Sequence, residues 1–458
     1  VSRGSRGRRL AVGAAPRKVA YDVLRAVSER DAYANLVLPD RIRAAGLDPR
    51  DAALATELTY GTLRATGLLD RVIDVVSSRP VEDLDDDVLD AIRLGAYQLL
   101  RTRIAAHAAV SATVGATYGV LSQGQSGFVN ALLRKIGYRS HSEWIERVAP
   151  DRDDDPVGHL AVMYSHPKWI AAAFNDALGG DYAELESALA ADDERPVVHL
   201  AARPGRVGRA ELADVAGGAE GRYSPFAVYM DSGDPAGVPQ IRSGSAAVQD
   251  EGSQLAALAL ANATIDGRDE QWVDLCAGPG GKAGLLAAIA GERGARVLAN
   301  EVAPHRARLV ERTVRGFPAD VVIGDGREAP LADSSVDRVL VDAPCSGLGA
   351  LRRRPESRWR RQASDIPALT ALQRELLTSA LRIVRPGGVV GYITCSPHVA
   401  ETRAVVRAVV GDMSRLIDVR PLLAGVPDLG DGPWVQLWPH RHGTDAMFIC
   451  LIGTPERT

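Results

Sequence analysis

Cys345, in the run VDAPCSGLG, and Cys395, in YITCSPH, each close an apolar, strand-like stretch, and Asp342 precedes the first by three residues. Two thiols and an acid at such positions suit covalent activation of a ring that does not react unaided. C5 of cytosine is a poor nucleophile toward a methyl group. Addition of a thiolate to C6 turns the ring into an enamine whose C5 attacks; the adduct must then lose its C5 proton and expel the thiol. One thiol starts this chemistry and a second group helps to end it. A carboxyl near ring N3 takes up the charge that develops on addition. A free thiol titrates near ~8.5, so the attacking sulfur needs a cationic or helix-end environment. Spacing alone leaves open which cysteine attacks.

A second constellation is QWVDLCAGPGGK, residues 271–282. It reads as a buried strand, a turn over Cys276, Ala277, Gly278, Pro279, Gly280, Gly281 and Lys282, and the start of a helix, which sets backbone N–H groups beside a ligand. It is not a Walker A loop: no glycine lies at the required offset and Ala283 replaces the metal-binding hydroxyl. Nor is it the GxGxxG of a dinucleotide site. Two further acids follow the next strand-like runs. Glu301 is placed to accept from a ribose diol, and Asp325 to accept from an adenine amine or orient a neighbouring donor. Their local alternatives are a helix-cap companion before Pro304 and a turn-former before Gly326. Together with Asp342, the loop and acids suit S-adenosylmethionine, whose sulfonium carries an activated methyl group, and no metal is required.

These residues need strand ends to hold them. From Ala246 onward the pattern alternates strands, near Val273–Leu275, Arg296–Asn300, Asp320–Ile323, Arg338–Val341, Gly388–Thr394 and Met447–Leu451, with helices such as Ala283–Ala290 and Ala371–Val384. A parallel, doubly wound sheet with ligands at the carboxyl ends of its strands is expected. Upstream, residues 15–139 space their apolar positions at three and four, including Ala52–Arg64, Leu68–Val76 and Leu89–Leu100, which predicts an all-α domain. Residues 1–14 carry arginines among glycines and serines and read as a disordered basic arm, 140–156 as an acidic linker, 157–245 as a small α+β domain, and 246–455 as the α/β Rossmann-like catalytic domain.

The 458 residues allow two or three domains, and a net charge of −4 gives no overall pull on nucleic acid, so any such contact must be local. The other cysteines, Cys276 and Cys450, complete a set with no CxxC pair or zinc spacing. No secretory signal or membrane span is read, and a cytoplasmic address is expected. Arg352, Arg353, Arg354, Arg358, Arg360 and Arg361, against the single Glu356, are expected to neutralise phosphates around a flipped cytosine.

The runs ELTYGTLRATGLLD, LDAIRLGAYQLLRTRIAAHAAV and GFVNALLRKI resemble the NusB-like RNA-binding domain of bacterial 16S rRNA cytosine-5 methyltransferases. DLCAGPGGK, DRVLVDAPCSGLGALRRRPE, LQRELL, PGGVVGYITCS and PHRHGTD resemble successive motifs of the RNA cytosine-5 methyltransferase family, so the likeness spans about Lys18 to Leu451. Gly278 stands where that family usually has alanine, and Thr402 where asparagine often follows the glutamate matched by Glu401. The resemblance implies that Cys395 attacks C6, that Cys345 assists proton removal and product release, and that the 276–282 loop, Glu301, Asp325 and Asp342 contact S-adenosylmethionine, leaving S-adenosylhomocysteine. It implies 16S rRNA as partner, before small-subunit assembly is complete, with no obligate protein partner. The competing readings are the same chemistry on tRNA or 23S rRNA, and an inactive RNA-binding assembly or antitermination factor.

Overall fold

The structure, a computed structural model, describes residues 13–454. Residues 1–12 of the expected basic arm lie outside the described residues. The described residues divide into two units, the first made of 13–175, 181–193 and 351–360, the second of the remainder.

The first unit is helical: α1 (Ala14–Arg30), α2 (Ala34–Ala45), α3 (Pro49–Val76), α4 (Asp86–Arg101), α5 (Ala106–Ala116), α6 (Gln123–Ile136), α7 (His141–Val148), α8 (Pro156–Met163), α9 (Lys168–Ala177) and α10 (Tyr182–Asp193). The helix starts are locally specified. Asp48 caps α3 through the Asp51 N–H at 2.8 Å with Pro49 in the first turn, and Ser122 with Gln125 forms a capping box on α6. Apolar stripes meet in one core around Leu58, Leu68, Leu69, Ile73, Ile92 and Leu94.

Two sequence expectations change here. The segments on either side of Gly67 form the single helix α3, because Gly67 is a packing site: a Cβ there would come within 2.4 Å of the Trp359 ring. Residues 140–156 are not a free linker. They contain α7, whose Trp144 and Ile145 are buried in the helical core, with Trp144 Nε1 donating to the Ile136 carbonyl at 2.9 Å.

The second unit opens with a four-stranded antiparallel sheet in the order β2-β3-β1-β4. Its strands are β1 (Val198–Ala202), β2 (Ala219–Glu220), β3 (Ala227–Met230) and β4 (Ala246–Val248), with α11 (Arg209–Ala216) and α12 (Pro239–Ser243) between them. The expected small domain is therefore divided: α8 and α10 belong to the helical unit, and the strands to the second unit. Residues 246–248, expected to open the catalytic domain, are an edge strand of the small sheet. The physical tie is Glu251, at the start of α13 (Glu251–Asn262). Fully buried, it accepts from the N–H groups of Tyr223 and Ser224, both at 2.8 Å, and from the Tyr229 hydroxyl.

The large sheet follows with β5 (Gln271–Asp274), α14 (Gly281–Glu292), β6 (Arg296–Glu301), α15 (Pro304–Val314), β7 (Ala319–Ile323) and β8 (Val336–Asp342). Then come α16 (Ser357–Arg360), which belongs to the helical unit, α17 (Ile366–Ile383), β9 (Val384–Thr394), α18 (Arg403–Val410), β10 (Leu416–Ile417), β11 (Val435–Gln436), α19 (Pro439–His442) and β12 (Phe448–Gly453). The order is β10-β12-β9-β8-β5-β6-β7, with β11 paired to β12. Strands β5 to β9 run parallel, as expected, but β12 is antiparallel to β9 and β10 in turn antiparallel to β12, so the sheet is mixed. Strand order reverses between β5 and β8, and a crevice opens at the carboxyl ends on either side of such a reversal. Among the described residues no helix is long and apolar enough to cross a membrane.

Candidate active site

β8 and β9 are adjacent parallel strands, so the loops leaving their carboxyl ends emerge side by side. Ala343 N–H donates to Ile393 O at 2.9 Å and Gly349 N–H to Cys395 O at 2.9 Å, stitching the loop after β8 onto the end of β9. Glycine is required at 349, where a Cβ would lie 2.1 Å from Ala446 O. These constraints bring Cys345 Sγ and Cys395 Sγ to 3.4 Å, a thiol contact rather than a disulfide.

The sulfurs are electrostatically unequal. The Cys345 thiol is pushed well up by its hydrogen bond to Cys395, by burial, and by the charges of Cys395 and Glu401. Cys395 moves down: the hydrogen bond from Cys345 and the Lys282 ammonium favour its thiolate, outweighing burial and the acids Asp342 and Asp445. The pair therefore favours a proton on Cys345 and negative charge on Cys395. The required cation is Lys282, in the first turn of α14. Its Nζ donates to both carboxylate oxygens of Asp342 at 2.9 Å. Burial works against the lysine's charge, but Asp342 prevails and its pKa is raised.

The glycine turn lies at the end of β5. Gly280 precedes α14 at φ 111°, a left-handed conformation that favours glycine. Gly278 N–H donates to Glu301 Oε2 at 2.9 Å, and a Cβ on Gly278 would lie 2.1 Å from that same oxygen. Glu301 thus packs directly against the turn. Glu301 also accepts from Ala303 N–H at 2.9 Å, so its capping role is present. Asp325 caps its turn through Arg327 N–H at 3.0 Å and pairs with the Arg327 guanidinium at 2.6 Å. Cys276 has its thiol pushed well up by burial and the surrounding acids, so it stays protonated.

Asp274 and Asn300 carried no role in the sequence reading. Asp274 is fully buried at the end of β5, and Asp274 Oδ2 and Asn300 Oδ1 lack hydrogen-bond partners. Burial, then Asp342, raise the Asp274 carboxyl to about 8. The clue in the sequence was an apolar run ending in an acid. Glu401, noted only for its family match, is also fully buried and links the two cysteine loops.

The arginine run requires a correction. Residues 351–360 lie in the helical unit. Arg358 is 0% exposed; it donates to the carbonyls of Arg64, Tyr164, Ser165 and Asp192 and to Asp193 Oδ1 at 2.9 Å. Arg360 donates to Val27 O and Ala32 O. These two guanidinium groups are taken up by backbone carbonyls and, for Arg358, Asp193. Arg352 is buried, whereas Arg354 is exposed over the Tyr33 ring at 5.4 Å; Arg353 and Arg361 are half-buried. His442 is a scaffold, bonded to Trp438 N–H at 2.8 Å and to Pro427 O at 3.0 Å.

Comparison with known proteins agrees with this architecture. Residues 262–452 match the family model described as 16S rRNA methyltransferase RsmB/F, and residues 14–137 match the NusB family. The chain is 56% identical over 453 residues to the putative methyltransferase Rv1407 of Mycobacterium tuberculosis, covering 98% of each chain. It is 30% identical to the probable ribosomal RNA small subunit methyltransferase B of Bacillus subtilis, over 95% of this chain and 98% of that one. The crystal structure of PH0851 shares the fold across 98% of this chain and all of its own, with a TM-score of 0.80 at 22% identity.

Proposed function

This chain belongs to the family of 16S rRNA methyltransferases of the RsmB/F type, and from that premise we propose that it methylates C5 of one cytosine in 16S rRNA through a covalent protein–RNA adduct. The observation that carries the chemistry is the pair of sulfurs at 3.4 Å with opposite protonation preferences beside the Lys282–Asp342 ion pair. S-adenosylmethionine supplies a methyl group already activated on its sulfonium. Asp274, Asn300 and Glu301 fit that donor: they offer carboxyl and amide oxygens at neighbouring strand ends, two of them without partners, to hydroxyl and amine donors. Cys276, the 277–282 turn, Asp325 and Asp342 complete the proposed donor site.

In the mechanism, the Cys395 thiolate forms the S–C6 bond, the C5=C6 electron pair is delocalised toward N3, and N3 takes a proton from water through Asp342 and returns it by the same route when C5=C6 is restored. C5 then accepts the methyl group. Formation of the thioether removes both the charge and the hydrogen bond that held the Cys345 proton. Cys345 loses that proton to water, takes the C5 proton as a base, and the C–H pair restores C5=C6 as S–C6 breaks. Both thiols lie in a crevice, so the cytosine must leave its stack; RNA not yet enclosed by ribosomal proteins meets that requirement at least cost. Arg353, Arg354 and Arg361 are the residues of the arginine run offered for phosphate contact. We place the enzyme in the cytoplasm, with no obligate protein partner.

The test is incubation of the protein with methyl-labelled donor and unmodified 16S transcript, followed by mapping of 5-methylcytosine at nucleotide resolution. Label at one cytosine is expected. Label confined to tRNA or 23S rRNA would move the substrate, and RNA binding without transfer would favour the inactive assembly factor.

A further inference from the structure

Each cysteine is followed by serine, and the two serines are as closely paired as the thiols: Ser346 Oγ and Ser396 Oγ lie 3.1 Å apart. Both hydroxyls point to one carboxylate. Ser346 Oγ and Ser396 Oγ donate to Glu401 Oε2, the latter at 2.7 Å, while Ser346 N–H and Gln373 Nε2 donate to Oε1 at 2.8 and 3.1 Å. Gln373 also donates to Pro344 O at 2.9 Å, and Tyr392 of β9 donates to the Glu401 carbonyl at 2.7 Å. Four donors thus meet the roughly four lone-pair sites of a carboxylate. Each hydroxyl has one proton, and both are spent on Glu401, so the serines approach closely only because a shared acceptor draws them together.

We infer that Glu401 is a positioning residue that, through Ser346 and Ser396, clamps the two cysteine loops together and fixes the spacing of their sulfurs. A glutamine has the same size but offers one acceptor oxygen and two unwanted donors, so at most half of the network survives. Nor is the clamp electrically silent. Cys345 faces Cys395, Glu401 and Tyr392, whereas Cys395 faces Cys345, Asp342, Lys282 and Asp445. The Glu401 charge therefore falls on the sulfur that keeps the proton.

The inference rests on the proposed methylation chemistry, but its readout need not. In Glu401→Gln, kcat is expected to fall on the order of 10- to 100-fold, as for a misplacement of about 1 Å, with KM for RNA and methyl donor within about twofold. The pH midpoint for iodoacetamide alkylation of Cys345, followed residue by residue by mass spectrometry, is expected to drop by roughly one unit. A role confined to fold stability would not move one thiol's titration selectively. Ser396→Ala, which deletes one donor and no charge, should lower kcat about tenfold without that pH change; it keeps the test open if Glu401→Gln does not fold. Wild-type kcat in the folded Glu401→Gln variant with an unmoved Cys345 midpoint would overturn the clamp, as would wild-type kcat in Ser396→Ala. A wild-type protein that methylates no RNA would instead overturn the proposed function, and the alkylation comparison would still decide the role of Glu401.

Discussion

Cys345 and Cys395 are chemically identical side chains separated in role by their neighbours. Lys282 favours the thiolate at Cys395, while Glu401 disfavours one at Cys345. Cys345→Ala should therefore still form a protein–RNA adduct, and one that persists on denaturing gels because its release is impaired; Cys395→Ala should form none. The reverse pattern would exchange the two roles. Asp274 leads to a pH prediction. Its carboxyl is raised from 3.8 to about 8, so between those values the folded chain holds a proton that the unfolded chain has released. Stability must then fall as pH rises through that window, by up to about 1.4 kcal/mol per unit. Asp274→Asn should flatten this dependence and be more stable than wild type at pH 8 in urea titrations, while weakening methyl-donor binding. The sequence carried the two cysteines, Asp342 and the glycine turn openly, because their types are tied to chemistry. It hid Asp274 and Glu401, whose importance comes from burial and from partners remote in the chain.

Among the elements, the segment 351–360 departs most from its appearance. Its composition reads as solvated or phosphate-binding, yet Arg358 is a buried plug whose guanidinium lies within hydrogen-bonding distance of four backbone carbonyls and Asp193. Nothing local distinguishes an arginine that enters a core from one that meets solvent; the acceptors lie more than 160 positions away in sequence. Glycines gave the readable half of that contact. Gly67 seemed to interrupt a helix, but it makes room for Trp359, and the flanking residues keep helical periodicity through it. Arg358→Ala should leave buried carbonyls and Asp193 Oδ1 without this donor, while Asp193 Oδ2 keeps Arg101 at 2.8 Å, costing about 1–3 kcal/mol. A shift of the denaturation midpoint of the helical unit would measure it. Arg358→Lys should recover little, since an ammonium lacks the planar fork that reaches several acceptors at once.

For the molecule as a whole, periodicity in the sequence revealed both the helical half and the alternating half, and a parallel sheet was expected, but the order of its strands and the antiparallel β12 were not read. Domain boundaries were less legible because a unit is defined by contacts rather than by chain continuity. Thus α8 and α10 join the first unit, the small sheet joins the second through Glu251, and 351–360 returns to the first. Replacing 351–360 in the full chain with a glycine–serine segment of equal length should therefore loosen a unit built mainly from residues before 194. Hydrogen exchange should show faster opening of α3 and α10, and unchanged protection in these helices would contradict it.

That discontinuity also sets an order of events during synthesis. When Asp193 leaves the ribosome, the plug for its unit has not been translated, and roughly 160 more residues must be added. At 5–20 residues per second this takes about 8–30 s, during which water must serve the carbonyls that Arg358 later claims. The helical unit is the first to be begun, yet it is not finished until residues 194–350 of the second unit have been made.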